Sequence, residues 1–163
     1  FILLYVFLLL HAEIFQTSQS LTGEIEAPGI CMQTFSYSCG AAAAVTYLHQ
    51  YDIVSTEKEM AELSGTTRQL GTDEFKMCKG LRRKVEGRYN VILEQREWHH
   101  LTNGLLPVLV VIKIGFMSDH WIVISDIEND TLRVLDPYVG ITEMNKGQFL
   151  TIWRKSIVRL DEE

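Results

Sequence analysis

The sequence contains little cysteine and a small share of basic residues, and both shortages exclude classes of protein. Its three cysteines form no Cys-x-x-Cys pair, which argues against a disulfide framework and against a cysteine zinc site. The 15 Lys and Arg residues are outnumbered by 21 Asp and Glu residues, which gives a net charge of -6. Nucleic acids and anionic membrane surfaces select basic patches, so neither is expected as the main partner. One disulfide, between Cys31 and Cys78 in an oxidising compartment, stays open.

Apolar residues are concentrated at the N-terminus. Residues 1–10 read FILLYVFLLL, a run that is too short to span a bilayer but has the length of a signal-peptide core. We therefore expect residues 1–12 to be a signal-peptide core or membrane anchor, residues 13–27 a polar linker, and residues 28–163 one folded domain. A secreted, periplasmic or membrane-anchored location is favoured, with the cytoplasmic face of a membrane as the alternative. A buried terminal element is the competing interpretation of the run.

The first half of the domain has the patterns of three helices. A run of small helix formers begins at Cys39 and predicts the first. Ser55 and Thr56 are the candidate caps of the second helix, with Thr56 in a capping-box pattern, and Gly65 is its expected end. Thr72 is the expected cap of the third helix, whose buried face should include Phe75.

The second half is expected to form an antiparallel sheet. An apolar run rich in Val and Ile, residues 107–114, predicts its central strand. Further strands are expected at residues 89–93, 120–127, 131–136 and 157–160, with short helices at residues 97–103 and 147–153. Successive strands joined by short turns pair antiparallel, so helices come first and a meandering sheet second. That order is typical of the α+β class.

A cysteine stands at the start of the first predicted helix. The positive end of the helix dipole acts on Cys39 and favours thiolate over thiol, which is how a cysteine becomes a nucleophile near neutral pH. The competing interpretation is a small buried hydrophobe at the start of a core helix. A nucleophile also needs a histidine to take the proton, a carboxylate to orient that histidine, and a donor for the oxyanion.

A predicted hairpin supplies the histidine and the carboxylate. If the turn is centred on Glu128, the register that matches apolar residues with each other sets Ile124 opposite Leu132. The same register sets His120 opposite Asp136, within reach on one face of the sheet. Asp136 would then hold the imidazole tautomer and stabilise the imidazolium.

The remaining candidates are an amide and two adjacent histidines. Gln33, six residues before Cys39, carries a side-chain amide that can donate to an oxyanion together with the backbone N–H of Cys39. His99 and His100 tend to point apart and lack the spacing of a zinc-binding helix, so we interpret them as surface residues. The sequence therefore predicts no metal site, and no pattern in it indicates a cofactor.

The ordered set of Gln33, Cys39, His120 and Asp136 resembles the papain-like cysteine peptidases. More closely, it resembles the bacteriocin-processing, double-glycine-leader peptidases and their stand-alone relatives, over about residues 28 to 155. The resemblance implies N-terminal helices packed on a C-terminal antiparallel sheet, with a cleft between them. The residue before the cysteine departs from the pattern, because family members often have Asp where Ser38 stands.

The resemblance also implies a role for each residue and a reaction. Cys39 would be the nucleophile, and His120 the general base and then the general acid. Asp136 would orient the imidazole, and Gln33 would donate to the oxyanion. The implied reaction is hydrolysis of a peptide bond through a Cys39 thioester, in the processing of a leader or other small peptide.

The implied partners are a peptide or protein substrate and an exporter, and the N-terminal apolar segment leaves membrane attachment open. Two other functions also stay open. One is a non-catalytic peptide-binding module of the same fold. The other is a transferase that passes an acyl or amide group through the same thioester, since the outcome depends on what attacks that intermediate.

Overall fold

Helices occupy the first half of the chain and strands most of the second. The computed structural model describes residues 2–116 and 118–162. The helices in these ranges are α1 (Ile2–Ser18), α2 (Cys39–His49), α3 (Glu57–Ser64), α4 (Glu74–Val85), α5 (Trp98–Leu101) and α6 (Lys146–Ile152). The strands are β1 (Ile25–Glu26), β2 (Ile30–Cys31), β3 (Tyr89–Gln95), β4 (Val108–Lys113), β5 (Asp119–Glu128), β6 (Thr131–Asp136), β7 (Gly140–Asn145) and β8 (Trp153–Glu162). This order confirms the α+β prediction.

Six of the strands form one antiparallel sheet in the order β3-β8-β4-β5-β6-β7. The strand β4 lies inside the sheet between β8 and β5, as its apolar run predicts. Two features differ from the predicted sheet. The strand β7 was not expected, and the last strand, β8, returns to pair between β3 and β4. Only β4 to β7 follow one another across the sheet.

Helices cover both faces of this sheet. The first core cluster joins α2, α3 and α4 to one face, and the second joins α5 and α6 to the opposite face. The helix α2 is buried from Cys39 to Leu48, and its four consecutive alanines are fully buried. Because helix packing distance depends on the side chains at the contact, these short methyl groups allow the α2 backbone to lie close to its neighbours.

The helix ends were predicted with mixed success. Thr56 caps α3 and Gly65, with φ of 72°, ends it, as predicted. Asp73 caps α4 instead of Thr72, because its carboxylate accepts a first-turn N–H while the Thr72 hydroxyl bonds within the preceding loop. The prediction for Phe75 was wrong, since its side chain is 79% exposed.

The N-terminal segment is helical through Ser18. Residues 2–10 are 46 to 87% exposed, whereas the end of α1 packs on α3, where the Ser18 hydroxyl donates to Glu62 at 2.7 Å. Residues 13–27, expected to be a linker, therefore contain the end of α1, the strand β1 and the buried Leu21. Within residues 2–116 and 118–162, no helix has both the length and the apolar character needed to cross a membrane.

Candidate active site

The helix α2 begins at Cys39, which is 8% exposed. The preceding residue, Ser38, does not cap the helix. Its hydroxyl turns back instead, accepting from the N–H of Phe35 at 3.1 Å and donating to the Phe35 carbonyl at 2.8 Å. No side chain in the described ranges caps this helix, so its first-turn N–H groups lack a side-chain acceptor.

His120 stands near the start of β5 and contacts residues from two other elements. Its Nε2–H donates to Asp136 Oδ1 at 2.8 Å, with the two side chains only 8% and 14% exposed. Cys39 acts on the same ring, because its side chain contributes to raising the pKa of His120. Since the carboxylate only accepts, Nε2 carries the proton, and Nδ1 is the nitrogen left for the sulfur.

The turn of this hairpin differs from the prediction. Glu128 pairs with Thr131, so the turn lies at Asn129 and Asp130 and is not centred on Glu128. Both turn residues have positive φ, 50° and 61°. Asn and Asp tolerate that conformation better than other side chains, and it suits a two-residue hairpin turn.

The predicted register was also wrong, although the predicted contact is made. Ile124 pairs with Val134, two residues beyond Leu132, and a bulge follows at Ser125. A shift of two residues keeps the side chains on the same face, whereas an odd shift would reverse them. His120 therefore reaches Asp136 diagonally across the strands, which is within range of a long side chain.

The histidine and the carboxylate shift each other's ionisation. Burial lowers the pKa of His120, but hydrogen bonds and charges from Asp136 and Cys39 outweigh that effect and raise the pKa to about 9. Burial acts to raise the pKa of the Asp136 carboxyl, but hydrogen bonds from His120 and from the Tyr138 N–H hold that pKa below its usual range. At neutral pH the pair is thus imidazolium and carboxylate.

Burial is the main influence on the ionisation of the other two cysteines. Burial, followed by the charge of Glu57, raises the pKa of the Cys31 thiol to about 12. Burial likewise raises the pKa of Cys78. All three thiols are free, so the disulfide left open between Cys31 and Cys78 is not formed.

Gln33 lies beside the turn that follows Asp136. Its backbone N–H donates to the Pro137 carbonyl at 2.8 Å, and its Nε2 donates to the Phe35 carbonyl at 2.9 Å. Its Oε1 is buried and has no hydrogen-bond partner among the described residues. Gln33 lines one pocket together with His120 and Asp136. The residue predicted from spacing therefore lines the same pocket as the imidazole.

A buried carboxylate that the sequence analysis did not single out supports this loop. Glu57 is fully buried and accepts from the N–H of Thr34 and the N–H of Gly23, each at 2.9 Å. The Thr34 hydroxyl donates to it as well. Glu57 thus holds the residue next to Gln33. An acid in a first helical turn ordinarily interacts with the helix dipole at the surface, so its position in the sequence gave no signal of this role.

Thr72 and Trp121, which form one wall of the cleft, pack closely against the start of α2. A Cβ on Gly40 would lie 2.7 Å from Thr72 Cβ and 3.1 Å from Trp121 Cδ1, so this position accepts only glycine without movement. Trp121 Nε1 donates to the Thr72 carbonyl at 2.7 Å. The tryptophan therefore joins the hairpin to the loop between α3 and α4.

The adjacent histidines lie on α5, away from this cleft. The ring centroids of His99 and His100 are 3.9 Å apart, so the two rings do not point apart as expected. His100 Nδ1 accepts from the Glu97 N–H at the start of the helix. Among the described residues, no group of three or more His, Cys, Asp and Glu side chains is arranged to hold a metal ion.

Comparison with known proteins identifies relatives along most of the chain. The sequence model of the Peptidase C39 family matches residues 29–163. An uncharacterized protein of Methanothermobacter thermautotrophicus is 32% identical over 151 residues, which are 90% of this chain and 94% of that protein.

Two crystal structures have the same fold. The peptidase domain of Streptococcus ComA, a bi-functional ABC transporter of a quorum-sensing pathway, has a TM-score of 0.73 at 20% identity over 81% of this chain and 96% of that domain. A double glycine motif protease from an AMS/PCAT transporter, in complex with its leader peptide, has a TM-score of 0.70 at 17% identity, over 86% and 95% of the two chains. With the family match over residues 29–163, this chain belongs to the Peptidase C39 family, a family of cysteine peptidases.

Proposed function

We propose that this protein hydrolyses peptide bonds with Cys39 as the nucleophile, His120 as the proton carrier and Asp136 as the residue that orients the imidazole. One observation carries the proposal. The His120 ring is hydrogen-bonded to the Asp136 carboxylate at 2.8 Å, and the Cys39 side chain contributes to raising the pKa of that same ring. A nucleophile, a base and a group that orients the base form the arrangement that covalent catalysis requires.

The chemistry follows from the charges of these groups. His120 takes the thiol proton and holds it at neutral pH, since its pKa is raised to about 9. The sulfur attacks the substrate carbonyl carbon, and the resulting tetrahedral intermediate collapses when the imidazolium gives its proton to the leaving amine. This leaves a thioester on Cys39. His120 then removes a proton from water, which attacks the thioester and releases the acid.

The oxyanion of the tetrahedral intermediate needs hydrogen-bond donors, and we propose two. One is the N–H of Cys39 at the uncapped start of α2, and the other is the second proton of Gln33 Nε2, whose first proton binds the Phe35 carbonyl. Donors fixed in advance stabilise the transition state more than the bound substrate. We therefore expect Gln33→Ala to lower kcat by about 100-fold and to change KM much less.

A leader or other small peptide is the substrate we propose. The similarity to a double glycine motif protease bound to its leader peptide supports this, as does the similarity to the peptidase domain of an ABC transporter. Association with an exporter is part of the same proposal. A panel of extended peptides with and without a double glycine before the cleavage point tests the preference directly.

The central experiment compares wild type with Cys39→Ala on a mixed peptide library. Wild type should cleave and Cys39→Ala should not, with circular dichroism spectra that agree. Alkylation by iodoacetamide, followed by mass spectrometry, gives an independent readout. Cys39 should react faster than Cys31 and Cys78, whose thiols have raised pKa values. Equal alkylation of Cys39 and Cys78, at no more than the rate of a free thiol, would reject the activated nucleophile.

A further inference from the structure

The cleft has two ends with different chemistry. A groove of about 450 Å³ contains Cys39 and is walled by residues 68–74, including Asp73 and Glu74. A second pocket of about 550 Å³ contains His120, Asp136 and Gln33 but not Cys39. A peptide that reaches the sulfur and the imidazole together has to extend into both.

The position of the general acid assigns a direction to the bound peptide. The leaving amine takes its proton from His120, so the chain that departs with that amine begins beside the imidazole. Of the two pockets, His120 lines only the second, whereas Cys39, which keeps the acyl part, lines only the first. The residues that follow the cleaved bond therefore enter the second pocket.

Three large apolar side chains line this second pocket. Ile114, Tyr138 and Val139 are 61%, 71% and 58% exposed, so each has apolar surface left to cover. One charged residue at the pocket, Asp119, is already paired, because Arg154 donates to its carboxylate at 2.7 and 3.0 Å. Ile114, Tyr138 and Val139 form the rim of this pocket, and Asp119 adds no unpaired charge to their apolar surface.

We propose that this pocket binds a large apolar side chain on the first residue after the cleaved bond. The inference rests on the proposed peptidase function and adds a preference on the leaving side of the substrate. A leucine-sized side chain that covers the three rim residues loses contact with water, and each methylene so covered contributes to affinity. We therefore expect a preference of about tenfold or more for Leu over Ser at this position.

The test uses two peptides that are identical except for Leu or Ser directly after the cleaved bond. Wild type should show a kcat/KM at least tenfold higher for the Leu peptide. The variant Ile114→Ser with Val139→Ser should reduce that ratio to about twofold, since two of the three apolar walls are lost. Phe75→Ser is the control, because Phe75 is also a large exposed apolar residue, at 79%, but lines neither pocket, and it should keep the ratio.

A binding titration of the same peptides to Cys39→Ala separates failure of this inference from failure of the proposed function. Cleavage of both peptides at equal rates would overturn the pocket assignment and leave the peptidase function intact. Absence of cleavage, with tighter binding of the Leu peptide that Ile114→Ser and Val139→Ser abolish, would overturn the function and keep the pocket. Equal binding of both peptides without cleavage would overturn both.

Discussion

The two sides of the candidate site are held in position by different physical means. On the helix side, Cys39 is fixed by close packing: its neighbour Gly40 lies against Thr72 and Trp121 with no room for a methyl group. On the hairpin side, His120 is fixed by hydrogen bonds and charge, mainly to Asp136 at 2.8 Å. The helix side should therefore be sensitive to added atoms, and the hairpin side to lost charge.

The largest effect is expected from loss of charge on the hairpin side. Asp136→Asn keeps the size of the side chain and an oxygen that can accept from Nε2, but it no longer stabilises the imidazolium. We expect kcat to fall by about 10³- to 10⁴-fold while the protein stays folded. Steady-state kinetics and thermal unfolding of the variant measure both quantities.

Asp126→Asn is the matched control for that change. Asp126 lies on the same hairpin, is exposed, and accepts from the N–H of its neighbour Ile127. Its kinetics should equal those of wild type. Nearly full activity in Asp136→Asn would mean that packing, and not charge, also positions the imidazole, and the contrast between the two sides would be lost.

The second effect, on stability, follows from the raised pKa of His120. Its pKa is about 9 when folded, against an ordinary value of 6.5, so the folded state holds the proton more tightly. The stabilisation is full below pH 6.5 and is lost as the pH rises to about 9; the shift corresponds to roughly 3 kcal/mol. Unfolding by denaturant at pH 6 and pH 9.5 measures the loss.

In Asp136→Asn, the free energy of unfolding should fall by less between pH 6 and pH 9.5 than it does in the wild type. Removing the carboxylate removes the largest of the effects that raise the His120 pKa, so less of the pH-dependent stability remains. An equal loss of unfolding free energy between pH 6 and pH 9.5 in the two proteins would contradict this.

In the wild type, the alkaline limb of kcat/KM should also lie near pH 9, where the imidazolium loses the proton that it gives to the leaving amine.

The same contrast decides how much of the site could be predicted from the sequence. The helix side depends on local signals, since a cysteine followed by a run of small residues specifies both a buried helix and its first residue. The predicted start of α2 at Cys39 is therefore confirmed. Glu57 was missed for a related reason, because local patterns do not reveal which first-turn acid is buried against a distant loop.

The hairpin side depends on features that the sequence specifies less directly. Apolar alternation predicted which face His120 and Asp136 share, and they are in contact. The turn and the bulge at Ser125 moved the strands by two residues from the predicted register. A shift by an even number of residues keeps His120 and Asp136 on the same face of the sheet. The apolar pattern could therefore predict the shared face but not the exact pairing of β5 with β6.

The third effect is expected on the helix side, from one added methyl group. The Cβ of Gly40→Ala would meet Thr72 Cβ at 2.7 Å, so either the cleft wall or the start of α2 has to move. We expect a loss of about 1 to 3 kcal/mol in the free energy of unfolding, together with a clear fall in kcat. Gly115→Ala is the control, because its Cβ would lie at an ordinary 3.5 Å from Ser118. A folded, fully active Gly40→Ala would contradict the packing account.

The smallest effect is expected from Trp121, which joins the two sides. It belongs to β5 next to His120, while its Nε1 donates to the carbonyl of Thr72 on the loop that packs on Gly40. Trp121→Phe keeps an aromatic ring but removes the hydrogen bond to the Thr72 carbonyl, and the loss of one such bond should cost about 0.5 to 1.5 kcal/mol. If the two sides are positioned independently, kcat should change by less than about threefold, and the losses from Trp121→Phe and Asp136→Asn should add. Losses that do not add would mean that the tryptophan transmits the position of the cleft wall to the imidazole, so that packing on one side sets the hydrogen bonds on the other.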